Sequence, residues 1–178
     1  MKVKIKKGRN LTKTELSLLV KEMGKNFEED PKKSLNKLKN EKDSLFFLLK
    51  NEKNILCFGF LRPERIVHLN KKYNFFGIRN VISVKKKKGY GKKLMKKIIE
   101  FLNKNKKTGI GFTGSRVAKF YKKSGFKTRR GLRKRFFPSF CKGDNKIENW
   151  GFYIEGEDKF ISNLIKSKIS ANMHRKKW

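Results

Sequence analysis

The sequence predicts a single mixed α/β domain, and three observations carry that prediction. Short apolar runs, alternating or continuous, read as strands, while longer runs with apolar residues three and four apart read as helices. The two kinds are interleaved, with a hairpin signal ahead of strand–helix units, so the central sheet is expected to be mixed rather than all-parallel. The length of 178 residues, 37% hydrophobic with 16 Phe, suits one core of ordinary size, and no Gly-, Pro- or Ser-rich linker divides it.

Residues 1–9 set Val3 and Ile5 against Lys2, Lys4 and Lys6, the alternation of a short first strand. Thr12 followed by Glu15 is a capping-box pattern ahead of Leu16, Leu18, Leu19 and Met23, so a helix follows. Asp30-Pro31 opens a second short helix with Pro at its first position. Ser44 to Lys50 and Ile55 to Leu61 are apolar runs separated by Asn51-Glu52-Lys53-Asn54, a hairpin signal. A further strand spans about Tyr73 to Val84. From about Gly91, Leu94, Met95, Ile98, Ile99, Phe101 and Leu102 recur at helical spacing, with Lys92, Lys93, Lys96 and Lys97 on the other side. Thr108 to Thr113 reads as a strand, Ser115 to Ser124 as a helix, and Phe126 onward as a strand. Trp150 to Glu155 is expected to close the sheet, and a last helix is expected over about Glu157 to Ala171. The core then occupies residues 1–156, with a C-terminal helix and basic tail at 157–178.

The chain holds 49 Lys and Arg against 15 Asp and Glu, a formal charge of +34. The 39 lysines partly reflect an AT-rich codon bias, but that bias does not remove Glu, so the shortage of acids is the better signal. Self-repulsion on this scale opposes a compact monomer unless anions are near. Nucleic acid is the abundant cytoplasmic polyanion, and Lys/Arg contacts to its phosphates release counterions. A merely solvated basic surface is the alternative. No stretch approaches the roughly 18 uncharged apolar residues of a membrane span, and no basic amphipathic helix stands at the N-terminus. Met1 to Lys7 is charged but lacks the apolar segment of a signal peptide. Cys57 and Cys141 give neither a disulfide framework nor metal-ligand spacing, so a cytoplasmic protein without a membrane or metal site is expected.

Val84-Lys85-Lys86-Lys87-Lys88-Gly89-Tyr90-Gly91-Lys92 joins a strand to an amphipathic helix. Glycines at 89 and 91 let the backbone turn tightly and bring its amides near a ligand. The helix N-terminus adds unsatisfied donors and the positive dipole end, which together suit a diphosphate. A glycine turn followed by solvated lysines is the plain reading of the same residues.

This stretch resembles the cofactor loop of the GNAT superfamily of N-acetyltransferases, Arg/Gln-x-x-Gly-x-Gly/Ala, with Lys86, Gly89 and Gly91 at the patterned positions. A second GNAT signature, a helix ending in Tyr-x-x-x-Gly-Phe before a strand, is matched by Tyr121, Gly125 and Phe126, in the expected order. The resemblance implies a GNAT-like mixed sheet flanked by helices, with acetyl-CoA or another acyl-CoA as cofactor. It places that cofactor along Ile82, Ser83 and Val84 and over Lys86, Lys87, Lys88, Gly89, Tyr90, Gly91 and Lys92. It implies an N-acyltransferase in which an amine attacks the thioester directly and Tyr121 protonates the leaving sulfur; a core aromatic is the other reading of Tyr121. Backbone amides near Val84 are the expected donors to the thioester carbonyl. His68 and Glu155 are the candidate general bases, and an acceptor already neutral at pH 7 needs none.

Arg129, Arg130, Arg133, Lys134 and Arg135 fall within seven residues, followed by Phe136, Phe137, Phe140, Lys142 and Lys146. Arg suits bidentate phosphate contact and exposed Phe suits base stacking, so the segment is the candidate nucleic-acid-binding element; a basic hairpin with core-facing Phe is the plain alternative. An amine of, or bound to, nucleic acid, on a DNA base or a tRNA, is therefore the expected acceptor. A small cationic amine near Glu148, Glu155, Glu157 and Asp158, a protein amine, and a non-catalytic GNAT domain that binds nucleic acid are the alternatives. The C-terminal helix and the tail His174-Arg175-Lys176-Lys177-Trp178 are the candidates for homodimer or partner contacts.

Overall fold

The computed structural model describes residues 1–52, 54–136 and 150–171. The order is β1 (Lys2–Lys7), a 3-10 turn (Gly8–Asn10), α1 (Lys13–Phe27), α2 (Pro31–Lys39), β2 (Leu45–Lys50), β3 (Ile55–His68) and β4 (Lys71–Ser83). Then follow α3 (Tyr90–Lys104), β5 (Gly109–Thr113), α4 (Ser115–Lys123), β6 (Lys127–Arg130), α5 (Leu132–Phe136), β7 (Trp150–Ile154) and α6 (Phe160–Lys166). The seven strands form one mixed sheet in the order β1-β2-β3-β4-β5-β7-β6. β4 and β5 pair in parallel at Phe76↔Gly109 and Gly77↔Ile110, while β1–β2, β2–β3, β5–β7 and β6–β7 are antiparallel. β7 thus lies inside the sheet and β6 at its edge, whereas the sequence suggested that β7 would close it.

The chain divides into two compact units, Met1–Pro63 with Ile78–Ile98, and Glu64–Gly77 with Ile99–Trp178. In the first, Phe46 stacks on Phe60 at 4.7 Å within a core of Leu19, Met23, Leu38, Leu48, Phe58 and Ile82. α1 starts as the sequence predicts: Thr12 Oγ1 accepts from the Glu15 amide at 3.2 Å, and Glu15 Oε2 accepts from the Thr12 amide at 3.0 Å. Lys6 and Lys50 also donate to that carboxylate, at 2.9 and 3.1 Å. Burial works against its charge, but the Thr12 amide and the two lysines prevail and hold the Glu15 carboxyl down at about 2.

The second unit packs Tyr73, Phe75, Phe136, Phe160, Ile161 and Leu164 around Ile110 and Leu132. Tyr73 stacks on Phe160 at 4.6 Å, and Phe136 meets Phe160 edge-on at 5.8 Å.

Three elements depart from the sequence reading. β3 runs on to His68, because Glu64, Ile66 and His68 alternate inward beyond Leu61. β2 ends its pairing at Leu45↔Leu61, so Pro63 interrupts no ladder on that side. The strand after Phe126 ends at Arg130; Gly131 (φ 79°) turns the chain, and α5 buries Leu132 and Phe136, four residues apart. The last helix begins only at Phe160, because Lys159 is left-handed (φ 52°) and Asp158 Oδ1 accepts from the Phe160 amide at 3.1 Å.

Candidate functional site

The loop residues belong to the first unit. β4 contains Asn80 at φ 48°, a left-handed residue inside a strand, a kink of the sort that re-aims backbone beside functional sites. Beyond it Ile82 is buried in the core and Ser83 donates its hydroxyl to Cys57 Sγ at 3.4 Å. Burial pushes the Cys57 thiol up to about 11, against smaller opposing effects of Ser83 and the Phe58 amide, so it is no nucleophile. The Val84 amide donates to Leu56 O at 3.0 Å. That donor is therefore spent within the sheet and does not serve an acyl carbonyl.

Lys85, Lys86, Lys87, Lys88 and Gly89 are all exposed. Lys87 (φ 61°) and Gly89 (φ 73°) both adopt left-handed backbone. A Cβ on Gly89 would meet nothing within 4 Å, so conformation, not space, demands glycine there. α3 makes its first intrahelical bond from Lys93 N to Gly89 O at 3.2 Å, so the amides of Tyr90, Gly91 and Lys92 precede the ladder. Gly91 lies in that first turn without a left-handed φ. Lys92 and Lys93 stand at the positive end of the helix dipole, where an anion would be stabilised and a cation is not. Open backbone, unused amides and clustered cations together fit a diphosphate group.

Tyr121 belongs to the second unit. It is 7% exposed, and its ring stacks on Phe152 at 3.5 Å and 7°. Phe152 lies so close to the backbone of Gly111 that a Cβ there would come within 2.1 Å of the ring. Gly111 and Phe152 therefore form the platform that sets Tyr121, a role the sequence reading missed; the Gly109-Ile110-Gly111-Phe112 pattern was the available signal. The Tyr-x-x-x-Gly-Phe motif closes α4 as a Schellman motif. Phe126 N bonds to Tyr121 O and Gly125 N to Lys122 O, both at 3.1 Å, with Gly125 at φ 102°. Phe126 then meets the Tyr121 ring edge-on at 6.0 Å.

The candidate bases have other surroundings. His68 is 3% exposed, and its Nε2 has no hydrogen-bond partner. Burial, and then the Arg135 guanidinium, depress its pKa. Glu155 is engaged at both oxygens, accepting from the Ser162 amide at 2.7 Å and the Ser162 hydroxyl at 2.5 Å, where it satisfies an orphan donor of α6.

The basic segment divides. Arg129, Arg130 and Lys134 are exposed and Arg133 half-exposed. Arg135 turns onto its own chain, donating to the carbonyls of Leu164 (2.7 Å), Ile169 (2.9 Å), Lys168 (3.2 Å) and Ser167. Phe136 is fully buried among Phe75, Phe112 and Phe160, which excludes it from base stacking. Phe137, Phe140, Cys141, Lys142, Lys146, Glu148 and the tail from 172 lie outside the described residues. Among the described residues no His, Cys, Asp and Glu are grouped to hold a metal ion, and no helix is long and apolar enough to cross a membrane.

The order of strands and helices, the parallel β4–β5 pair and the loop opening α3 define a mixed α/β fold of the GNAT type, as the sequence resemblance implied. Solved structures bear this out. An acyl-CoA N-acyltransferase from Pseudomonas aeruginosa superposes with a TM-score of 0.58 at 15% identity, over 86% of this chain and 97% of its own. ElaA from Escherichia coli gives 0.60 at 14%, over 87% and 100%. PseH, an N-acetyltransferase from Campylobacter jejuni solved with acetyl coenzyme A, gives 0.54 at 17%, over 86% and 99%. No protein-family model matches the sequence, and neither does any curated protein.

Proposed function

We propose that the chain is an acyl-CoA-dependent N-acyltransferase, using acetyl-CoA or another acyl-CoA, whose acceptor is an amine of, or bound to, nucleic acid. The observation that carries the cofactor side is the left-handed, open Gly89 at the start of α3, with unladdered amides beyond it and exposed lysines before it. The likeness of fold to N-acyltransferases, one of them solved with acetyl coenzyme A, supports the same reading.

Acyl-CoA, when bound, supplies an activated thioester. The amides of Tyr90, Gly91 and Lys92 and the ammonium groups of Lys86, Lys87, Lys88 and Lys92 would hold its phosphates. The Tyr121 hydroxyl is the chain's proposed proton donor to the leaving sulfur, the role a positioned phenol can serve as a general acid. Glu155 is already bonded to Ser162, and His68 is buried beside Arg135. The proposed acceptor is accordingly an amine neutral at pH 7, such as a nucleobase amino group.

Acetyl-CoA titration followed by thermal shift and calorimetry tests the cofactor site. Gly89→Val should weaken binding at least tenfold, since a β-branched residue resists φ 73°. Gly131→Val, at φ 79° and equally open, controls for strain alone and should bind as the parent does. No stabilisation of the parent by acetyl-CoA, or equal loss in both variants, would sink the assignment. Tyr121→Phe should then lower kcat by about a hundredfold, with cofactor affinity kept.

A further inference from the structure

Between Glu100 and Asp144 the sequence has no carboxylate but fourteen Lys and Arg. Within the second unit this stretch builds β5, α4, β6 and α5. Two of its cations are visibly used by the fold: Lys106 pairs with Glu157 at 2.7 Å, and Arg135 holds the end of α6. Six others, Arg116, Lys119, Lys123, Lys127, Arg129 and Arg130, are exposed on α4 and β6. None of the six is in an ion pair with another described residue.

Their placement follows from the local fold. α4 turns Ala118 and Tyr121 inward. At about 100° per residue, Arg116, Lys119 and Lys123 then share a stripe about 60° wide on the opposite side. β6 is the edge strand, paired on one side only with β7; Thr128↔Phe152 and Arg130↔Trp150 put Arg130 on the side that carries α4, since Phe152 stacks on Tyr121, while Lys127 and Arg129 point to the other side. Bare like charges at this density repel one another, and a polyanion relieves them.

The apolar groups identify the polyanion. A single-strand binder needs exposed aromatic platforms, and a lipid surface needs an apolar face to insert. Here the aromatic rings are turned onto one another, Phe120 on Tyr121 at 5.1 Å and Tyr121 on Phe126 at 6.0 Å. Val117, 45% exposed, is the large hydrophobic left outward on α4. Among the described residues, α4 and β6 therefore offer chiefly contacts to phosphate.

We infer that the outer stripe of α4, with Arg130 on the same side of the edge strand β6, forms a docking face for the sugar–phosphate backbone of double-stranded nucleic acid, with Arg116, Lys119, Lys123 and Arg130 as its phosphate contacts. This rests on the acceptor side of the function proposed above and is independent of its cofactor side.

The test is fluorescence anisotropy of the full chain with a DNA duplex of about 20 base pairs over a NaCl series, since each phosphate contact contributes about 0.9 to the slope of log K against log salt. R116Q/K119Q/K123Q should reduce that slope by about 3 and weaken binding at least tenfold at fixed salt. K2Q/K4Q/K21Q removes the same charge from exposed positions of the first unit and should change the slope by less than about 1. Equal losses in the two variants, tighter binding of a single strand than of duplex, or equal binding to phosphatidylserine vesicles would overturn the docking face. Acetyl-CoA stabilisation, measured on the same samples, separates the two readings. Its absence beside the expected duplex behaviour removes the transferase and leaves the face standing.

Discussion

The two units treat buried charge differently. In the first, buried carboxylates are answered by cations within the fold. Glu15 takes Lys6 and Lys50, and Glu41 takes Arg62 Nε at 2.8 Å and the Ser44 hydroxyl at 2.5 Å, with Arg79 at 3.9 Å. In the second, the stretch between Glu100 and Asp144 supplies cations with no acid of its own, and Arg135 is neutralised by backbone carbonyls instead. Buried acid in the first unit is therefore answered inside the fold, although the lysines at 85–88 stay exposed there; the basic stretch of the second has no acid of its own to answer it.

The largest break in this comparison should come from Glu41. It is 3% exposed, while the Arg62 and Arg79 side chains are 18% and 13% exposed. Glu41→Ala leaves two nearly buried guanidinium groups without this partner, which should cost about 3 kcal/mol in urea unfolding. A loss under about 1 kcal/mol would mean that the arginines find equivalent partners and that the pair is not framework.

Arg135 sharpens the contrast inside the second unit. Its donors reach carbonyls at the C-terminal end of α6, where the helix leaves acceptors unsatisfied and favours a cation. Arg135→Met should cost about 2 kcal/mol and accelerate hydrogen exchange in α6. The duplex salt slope should stay put, because this guanidinium is already engaged. A slope reduced as by Arg130→Gln would return Arg135 to the binding surface.

Local signals explain which parts were readable beforehand. The capping box at Thr12 and Glu15, the β2–β3 hairpin and the period of α3 are each contained in a few adjacent residues. So are the left-handed demand at Gly89 and the Schellman ending at Tyr121 and Gly125. The failures share one cause: the deciding partner is distant or of the wrong appearance. Arg135 reads as a surface cation because its acceptors lie some thirty residues later, and Glu155 reads as a free carboxylate because Ser162 is visible only once α6 folds back. Phe136 looks stackable until Leu132, four residues before it, proves to set one face of a short helix. Charged Glu64 and Arg65 hid the continuation of β3, whose inward alternation needs the second unit's core to be recognised.

The smallest expected effect isolates one proton. His68 is buried, and both its burial and the neighbouring Arg135 depress its pKa below the ordinary 6.5. The folded chain therefore holds it neutral where the unfolded chain binds a proton. Its contribution is complete above pH 6.5 and is lost progressively as pH falls from there towards the depressed folded value. The slope of unfolding free energy from this site cannot exceed about 1.4 kcal/mol per pH unit. His68→Gln should flatten the stability profile below about pH 6.5 by up to one proton. An unchanged profile in His68→Gln would show that the imidazole is protonated at no cost, with Arg135 free to move aside. The sharp separation between a committed and an available arginine would then need redrawing.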